Sequence, residues 1–145
     1  ALKNLPDASN VFIKVLKWHK ITQAVASDGF FAVDIFGRVH IAPFSKNHSY
    51  NEAENWENIA RLAVGNQDSL FGITRDGKVL CAGANLTNGP HGNLREKLSG
   101  LSGVVDICAI GAECERILIA FKDGTVTDLD GNKLDIRHKG KYNHE

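Results

Sequence analysis

The stretch LFGITRDGKVLCAGAN, Leu70–Asn85, decides how this chain is read. Leu70–Arg75 and Lys78–Ala82 are short runs rich in branched and aromatic residues, split by Asp76-Gly77. Two β-prone runs about an Asp-Gly pair are a strong hairpin signal. Glycine reaches positive φ at no steric cost, and the Asp-Gly pair predicts a type I′ turn. Working outward, the same pattern occurs twice more. Phe30–Ile35 and Arg38–Ala42 flank Phe36-Gly37, and Ile117–Lys122 and Thr125–Leu129 flank Asp123-Gly124. Phe36 replaces Asp in the first, which predicts a different turn type there.

The turn glycines Gly37, Gly77 and Gly124 lie 40 and then 47 positions apart, and Trp18 and Trp56 lie 38 apart. Such spacing is the mark of a repeat architecture. Each unit opens on a large apolar residue, with Ser102 standing in that place in the third. An apolar residue follows three positions on (Ile21, Ile59, Val105). A first strand then ends at a small residue, Ser27, Gly65 or Gly111. Ala32 and Gly72 put small residues mid-strand, predicting close approach between sheets; Ile119 breaks that pattern. The divisions are repeat 1 over 18–55, repeat 2 over 56–101 and repeat 3 over 102–131. An N-terminal strand segment precedes them over 1–17, with Val11–Leu16 as its strand, and a polar tail follows over 132–145. Asn51–Leu62 could cap a helix with Asn51 and Glu54, but the repeat register favours a loop and then a strand from Glu57. Leu94–Leu98 reads as one helical turn.

The opener W-x-x-I-x-x-L-A-V-G at Trp56 and GITRDGKVLCAGAN at Gly72–Asn85 resemble the repeat of the regulator of chromosome condensation family. Residues 18–42 resemble it without Asp-Gly and the closing Gly-x-Asn. Residues 102–127 resemble it through Gly111 and Asp123–Val126. The resemblance implies an all-β fold, a β-propeller of four-stranded antiparallel blades, and protein partners. Propellers have about four to eight blades. Some three blades would leave two faces open, so the expectation is a partial propeller, either a piece of a larger ring or one completed by another chain.

The chain has 145 residues, 43% hydrophobic and 23% charged, which excludes a disordered segment; Lys+Arg and Asp+Glu are 17 each. A neutral chain has no global field to hold nucleic acid or an anionic membrane. No apolar run approaches the roughly 18 residues of a membrane helix. No basic stretch leads into an apolar one at the N-terminus, so no signal peptide is read. The sequence has no Met, which suggests a processed product or a piece of something longer. Cys81, Cys108 and Cys114 form no disulfide framework or zinc pair and are expected to be buried or half-buried thiols. The sequons at Asn47 and Asn85 permit secretion; a cytoplasmic location is preferred.

Catalytic and metal motifs are absent. No HExxH, GxxxxGK[ST] or GxSxG occurs. An EF-hand aligned on Gly131 places Val126 and Arg137 where carboxylates are required. The basic group Arg137–Lys141 reads as a solvated tail. The expectation is therefore a non-catalytic β-propeller interaction module that needs no cofactor. It binds a protein partner or completes an oligomeric ring. A carbohydrate-binding propeller lectin is the alternative. The connection after the second hairpin offers Asn85, Asn88 and His91 as partner- or ligand-binding residues, because binding groups concentrate on loops.

Overall fold

A computed structural model describes residues 7–65, 69–84, 86, 92–111, 114 and 116–134. The chain is mostly β, with three separate antiparallel sheets in sequence order. The first holds β1 (Ile21–Ala26), β2 (Gly29–Asp34) and β3 (Val39–Pro43). The second holds β4 (Ile59–Val64), β5 (Leu70–Thr74) and β6 (Val79–Ala82). The third holds β7 (Val104–Ile110), β8 (Arg116–Phe121) and β9 (Val126–Asp128). Helix α1 (Asp7–Val15) leads into β1, a 3-10 helix (Asn51–Asn55) into β4, and α2 (Leu94–Ser99) into β7. The expected four-stranded unit is thus a three-stranded one. In the third sheet, Lys133 bridges Thr127 and the Leu134 N–H donates to Val126, so the tail expected from residue 132 begins as a paired segment.

The hairpins fall where the glycines placed them, but their turns differ from expectation. Gly37, Gly77 and Gly124 all have positive φ, while Phe36, Asp76 and Asp123 do not. The glycine N–H donates to the residue three back, Asp34, Thr74 or Phe121. That residue's own N–H donates to the one after the glycine. This is a type I turn closed by a left-handed glycine bulge, the same in all three sheets. Only the glycine needs positive φ, which is why Phe36 is tolerated where a type I′ turn would exclude it. Asp128–Asn132 forms a fourth such turn around Gly131.

Residues Val11–Leu16 are helical rather than extended over Val11–Val15. Val11 is buried and Val15 half-buried, four apart on one helix face, whereas Ile13, which a strand would place beside them, is exposed. The Phe12 ring lies 5.7 Å from that of Phe30. The loop expected before β4 contains the 3-10 turn, and the single turn expected at Leu94 is present as α2.

The sheets stack through a repeated device. The residue before each first strand, Lys20, Asn58 or Gly103, has positive φ, and its carbonyl accepts from the residue just beyond the second strand, Ile35, Arg75 or Lys122. Each first strand then carries the same irregularity, at Ile21/Gln23, Ile59/Arg61 and Val104/Asp106. Between sheets, the Ile59 N–H donates to the Gly37 carbonyl at 3.0 Å and the Val104 N–H to the Gly77 carbonyl at 3.1 Å. Gln23 exchanges two hydrogen bonds with the Leu62 backbone, and Arg61 pairs with Asp106 at 3.0 Å.

One core fills each gap. Phe31, Val33, Val39 and Ile41 of the first sheet meet Ile59, Leu62 and Leu70 of the second. Phe71, Ile73, Val79 and Cys81 of the second meet Val104, Ile107, Ile117 and Ile119 of the third. Gly72 serves a purpose other than the expected close sheet approach. A Cβ there would lie 2.8 Å from two atoms of the Trp56 ring, so the glycine seats the indole. Ile119 occupies that place in the third sheet, which has no tryptophan opener; Ile119 is fully buried, with Leu101 packed on its core.

Asp34 starts the first turn. Burial pushes its pKa up, but hydrogen bonding to the His40 ring and from the Arg38 and Phe36 N–H groups holds it net below the ordinary 3.8. A lowered folded-state pKa contributes stability that is present above the unfolded value and lost as pH falls through the folded one. Stability is therefore expected to decline below about pH 4, and Asp34→Asn, which keeps an acceptor for both N–H groups, should flatten that decline. An unchanged acid profile in urea titrations of the variant would contradict this.

Candidate interaction face

Because the units are equivalent, each side chain has counterparts at known positions. In register, Val25 pairs Phe31, Ala63 pairs Phe71 and Cys108 pairs Leu118. Counting from the turn glycines, Val33 and Ile73 correspond to Ala120, and Val39 and Val79 to Val126. On the first sheet this face is covered by the second, and on the second by the third: Phe31, Val33, Phe71, Ile73 and Val79 are at most 2% exposed. On the third sheet no following sheet covers it among the described residues. Leu118, Ala120 and Val126 are half-exposed and Cys108 is exposed.

These residues line a shallow apolar groove of about 190 Å³, with Asp106 and Ile107 completing its wall. Asp106 is the only ionisable carboxylate among them and is already paired with Arg61. The groove therefore offers shape and apolar area rather than charge. Burying a fully exposed Leu or Val side chain is worth roughly 1.5–3 kcal/mol, and because Leu118 and Val126 are already partly buried, covering each adds only a fraction of that. At its rim, no donor among the described residues reaches the Gly124 carbonyl, the counterpart of the Gly37 and Gly77 carbonyls that hold the next sheet. A Cβ on Gly124 would meet nothing within 4 Å, whereas one on Gly37 or Gly77 would meet backbone at 2.9 and 2.8 Å.

A second concave region is internally satisfied. The groove beside Trp56 and α2 contains Arg95. Its guanidinium makes two bonds to Glu52, at 2.8 and 3.1 Å, and one to the Cys81 carbonyl, tying α2 to the 3-10 helix and β6. Trp56 is only 8% exposed and Trp18 is half-buried, its ring 5.7 Å from His40. Both act as packing groups.

Asn85, Asn88 and His91 lie outside the described residues. The groove residues were not singled out from the sequence. The signal that could have found them is the alignment of Leu118, Ala120 and Cys108 with larger or buried counterparts, once the register was known. The cysteine expectation holds for Cys81 and Cys114, which are buried, and fails for Cys108, which is exposed. Cys108 stands at the open face, where among the described residues the covering sheet that buries Ala63 has no counterpart. Burial pushes the Cys81 thiol up to about 12, so it stays protonated and unreactive. One thiol per chain, Cys108, is expected to react quickly with a maleimide in the native state, with Cys81 and Cys114 reacting only on unfolding. Rapid labelling of a second native thiol, located by peptide mapping, would contradict the packing.

Among the described residues no helix is long and apolar enough to cross a membrane, and no three His, Cys, Asp or Glu side chains converge as metal ligands. Comparison with protein-family models, curated proteins and solved structures finds no match to this chain.

Proposed function

We propose that this chain is a non-catalytic interaction module, an arc of propeller-like units that docks a protein partner on the open face of its third sheet. The observation that supports this reading is the apolar groove at Cys108, Leu118, Ala120 and Val126, whose counterparts on the other two sheets are buried by a neighbouring sheet, except Val25, which is half-buried against it. An exposed apolar face in register with two buried ones is a surface shaped for a polypeptide. The groove has too little polar lining for the hydrogen-bonding a sugar demands, and Trp56 is committed to Gly72.

Cys108 supplies the test. A photo-crosslinker attached there through a maleimide is expected to give a discrete covalent adduct with a polypeptide, self or foreign, which Ala120→Glu abolishes. Absence of any protein adduct, or one indifferent to Ala120→Glu, overturns the proposal. A glycan array with reproducible hits would transfer the function to carbohydrate binding.

A further inference from the structure

The two ends of the stack are complementary in kind. Each internal junction has two parts. The leading strand of the following sheet, β4 or β7, lies on the first two strands of the preceding one, and the short helix before it lodges by the preceding sheet's third strand. The 3-10 helix contributes buried Ala53 and the neighbouring Tyr50, and α2 contributes buried Leu94 and Leu98.

At the head of the chain the same two parts lack a sheet to receive them among the described residues. Helix α1 precedes β1 as the other helices precede β4 and β7. Its Ile13 and, just beyond, Leu16 are 44% and 79% exposed, and Phe12, though its ring packs by Phe30, is still 45% exposed, so the helix presents an exposed apolar edge. Ile21 is half-exposed, whereas its counterparts by strand register, Ile59 and Val104, are buried; Val104, and not the expected Val105, which is exposed, takes that place in the third sheet. At the tail, the third sheet presents the groove, the Gly124 carbonyl and exposed Leu134.

We infer that the occupant of the open third-sheet face is the head of a second copy of this chain. Its Ile21 N–H would donate to the Gly124 carbonyl as Ile59 and Val104 do to Gly37 and Gly77, and the apolar edge of its α1 would lodge beside β9. The argument is continuity: the contact repeats a junction that the chain already makes twice. It rests on the reading that the third-sheet face docks protein, and it specifies the partner. Such a contact is heterologous, so it closes into a ring or propagates.

Heterologous pairing has a signature that self-complementary pairing lacks. The full chain is expected to weigh two or more chains by light scattering at micromolar to millimolar concentration. Ala120→Glu blocks the tail, and the doubly substituted Ile13→Glu/Leu16→Glu blocks the head at residues exposed in the single chain; each alone should be a single chain with unchanged circular dichroism. Mixed, the two variants retain one good head and one good tail and should form a species of two chains that goes no further. Should Ala120→Glu misfold, Gly124→Ala replaces it, since its Cβ meets nothing in the single chain. A wild-type protein that stays a single chain, or a variant mixture that fails to pair, overturns the inference. If the Cys108 crosslinker then still gives an adduct with a different protein, abolished by Ala120→Glu, the interaction-module reading stands and only the identity of the partner falls.

Discussion

Trp56→Ala is expected to lower the unfolding free energy by about 3–5 kcal/mol, the range for removing a buried tryptophan. Trp56 is 8% exposed, and its six-membered ring covers Gly72 so closely that a Cβ would stand 2.8 Å away. Gly72 beneath the ring has no side chain to move into the space left behind. The third sheet suggests the compensation. Where no tryptophan opens the unit, Ile119 fills the place of Gly72, fully buried. Gly72→Ile should therefore be strongly destabilising while Trp56 is present and much less so in the Trp56→Ala background, a coupling that a double-mutant cycle in urea reads directly. A loss below about 1 kcal/mol for Trp56→Ala, outside the range for a buried large-to-small change, would place the ring outside the core. It would also undo the pairing of aromatic opener with small mid-strand residue.

Gly77→Ala is expected to cost about 2–4 kcal/mol. Part is conformational, since φ is +83° and a left-handed non-glycine residue costs about 1–3 kcal/mol. The rest comes from the junction. The new methyl would lie 2.8 and 2.9 Å from the Gly103 N and Cα, which are backbone and cannot swing away. The third sheet must back off, lengthening the Val104 N–H bond to the Gly77 carbonyl. Gly124→Ala is the internal control. Its φ of +92° carries the same conformational penalty, but no atom stands within 4 Å. On dilute protein it should cost only that conformational penalty, about 1–2 kcal/mol. Equal losses at the two positions would show that the tight sheet junction at Gly77 contributes nothing to stability.

The hairpins were legible because their information is local. Branched residues on both sides of a glycine that must take positive φ specify a chain reversal over a short span, and all three reversals occur where Gly37, Gly77 and Gly124 stand. The turn type differs from the expected one for a local reason too. Asp before Gly suits a type I′ turn, yet the bulged type I turn asks nothing of that residue, as Phe36 shows. The segment Val11–Leu16 misled because a short branched run satisfies both periods; what decided it was packing of Val11 and Phe12 on the first sheet.

The candidate face could not be read in the same way. Leu118, Ala120, Val126 and Cys108 look like ordinary strand residues, and nothing local distinguishes them from Phe71, Ile73, Val79 and Ala63. Their exposure depends on whether another sheet follows. The loop residues Asn85, Asn88 and His91 drew notice for the opposite reason: polar loop composition is visible locally, whereas an uncovered apolar face is a property of the stack.

The order of residues was sufficient to set three repeated hairpin units and their turn glycines, because backbone conformation and strand pairing act over a few neighbours. Which way each sheet faces, the seating of Trp56 on Gly72, the Gly37–Ile59 and Gly77–Val104 junction bonds and the uncovered third face arise between residues well separated along the chain. Contacts at that distance are selected by burial and close packing in three dimensions, so only the folded stack reveals them.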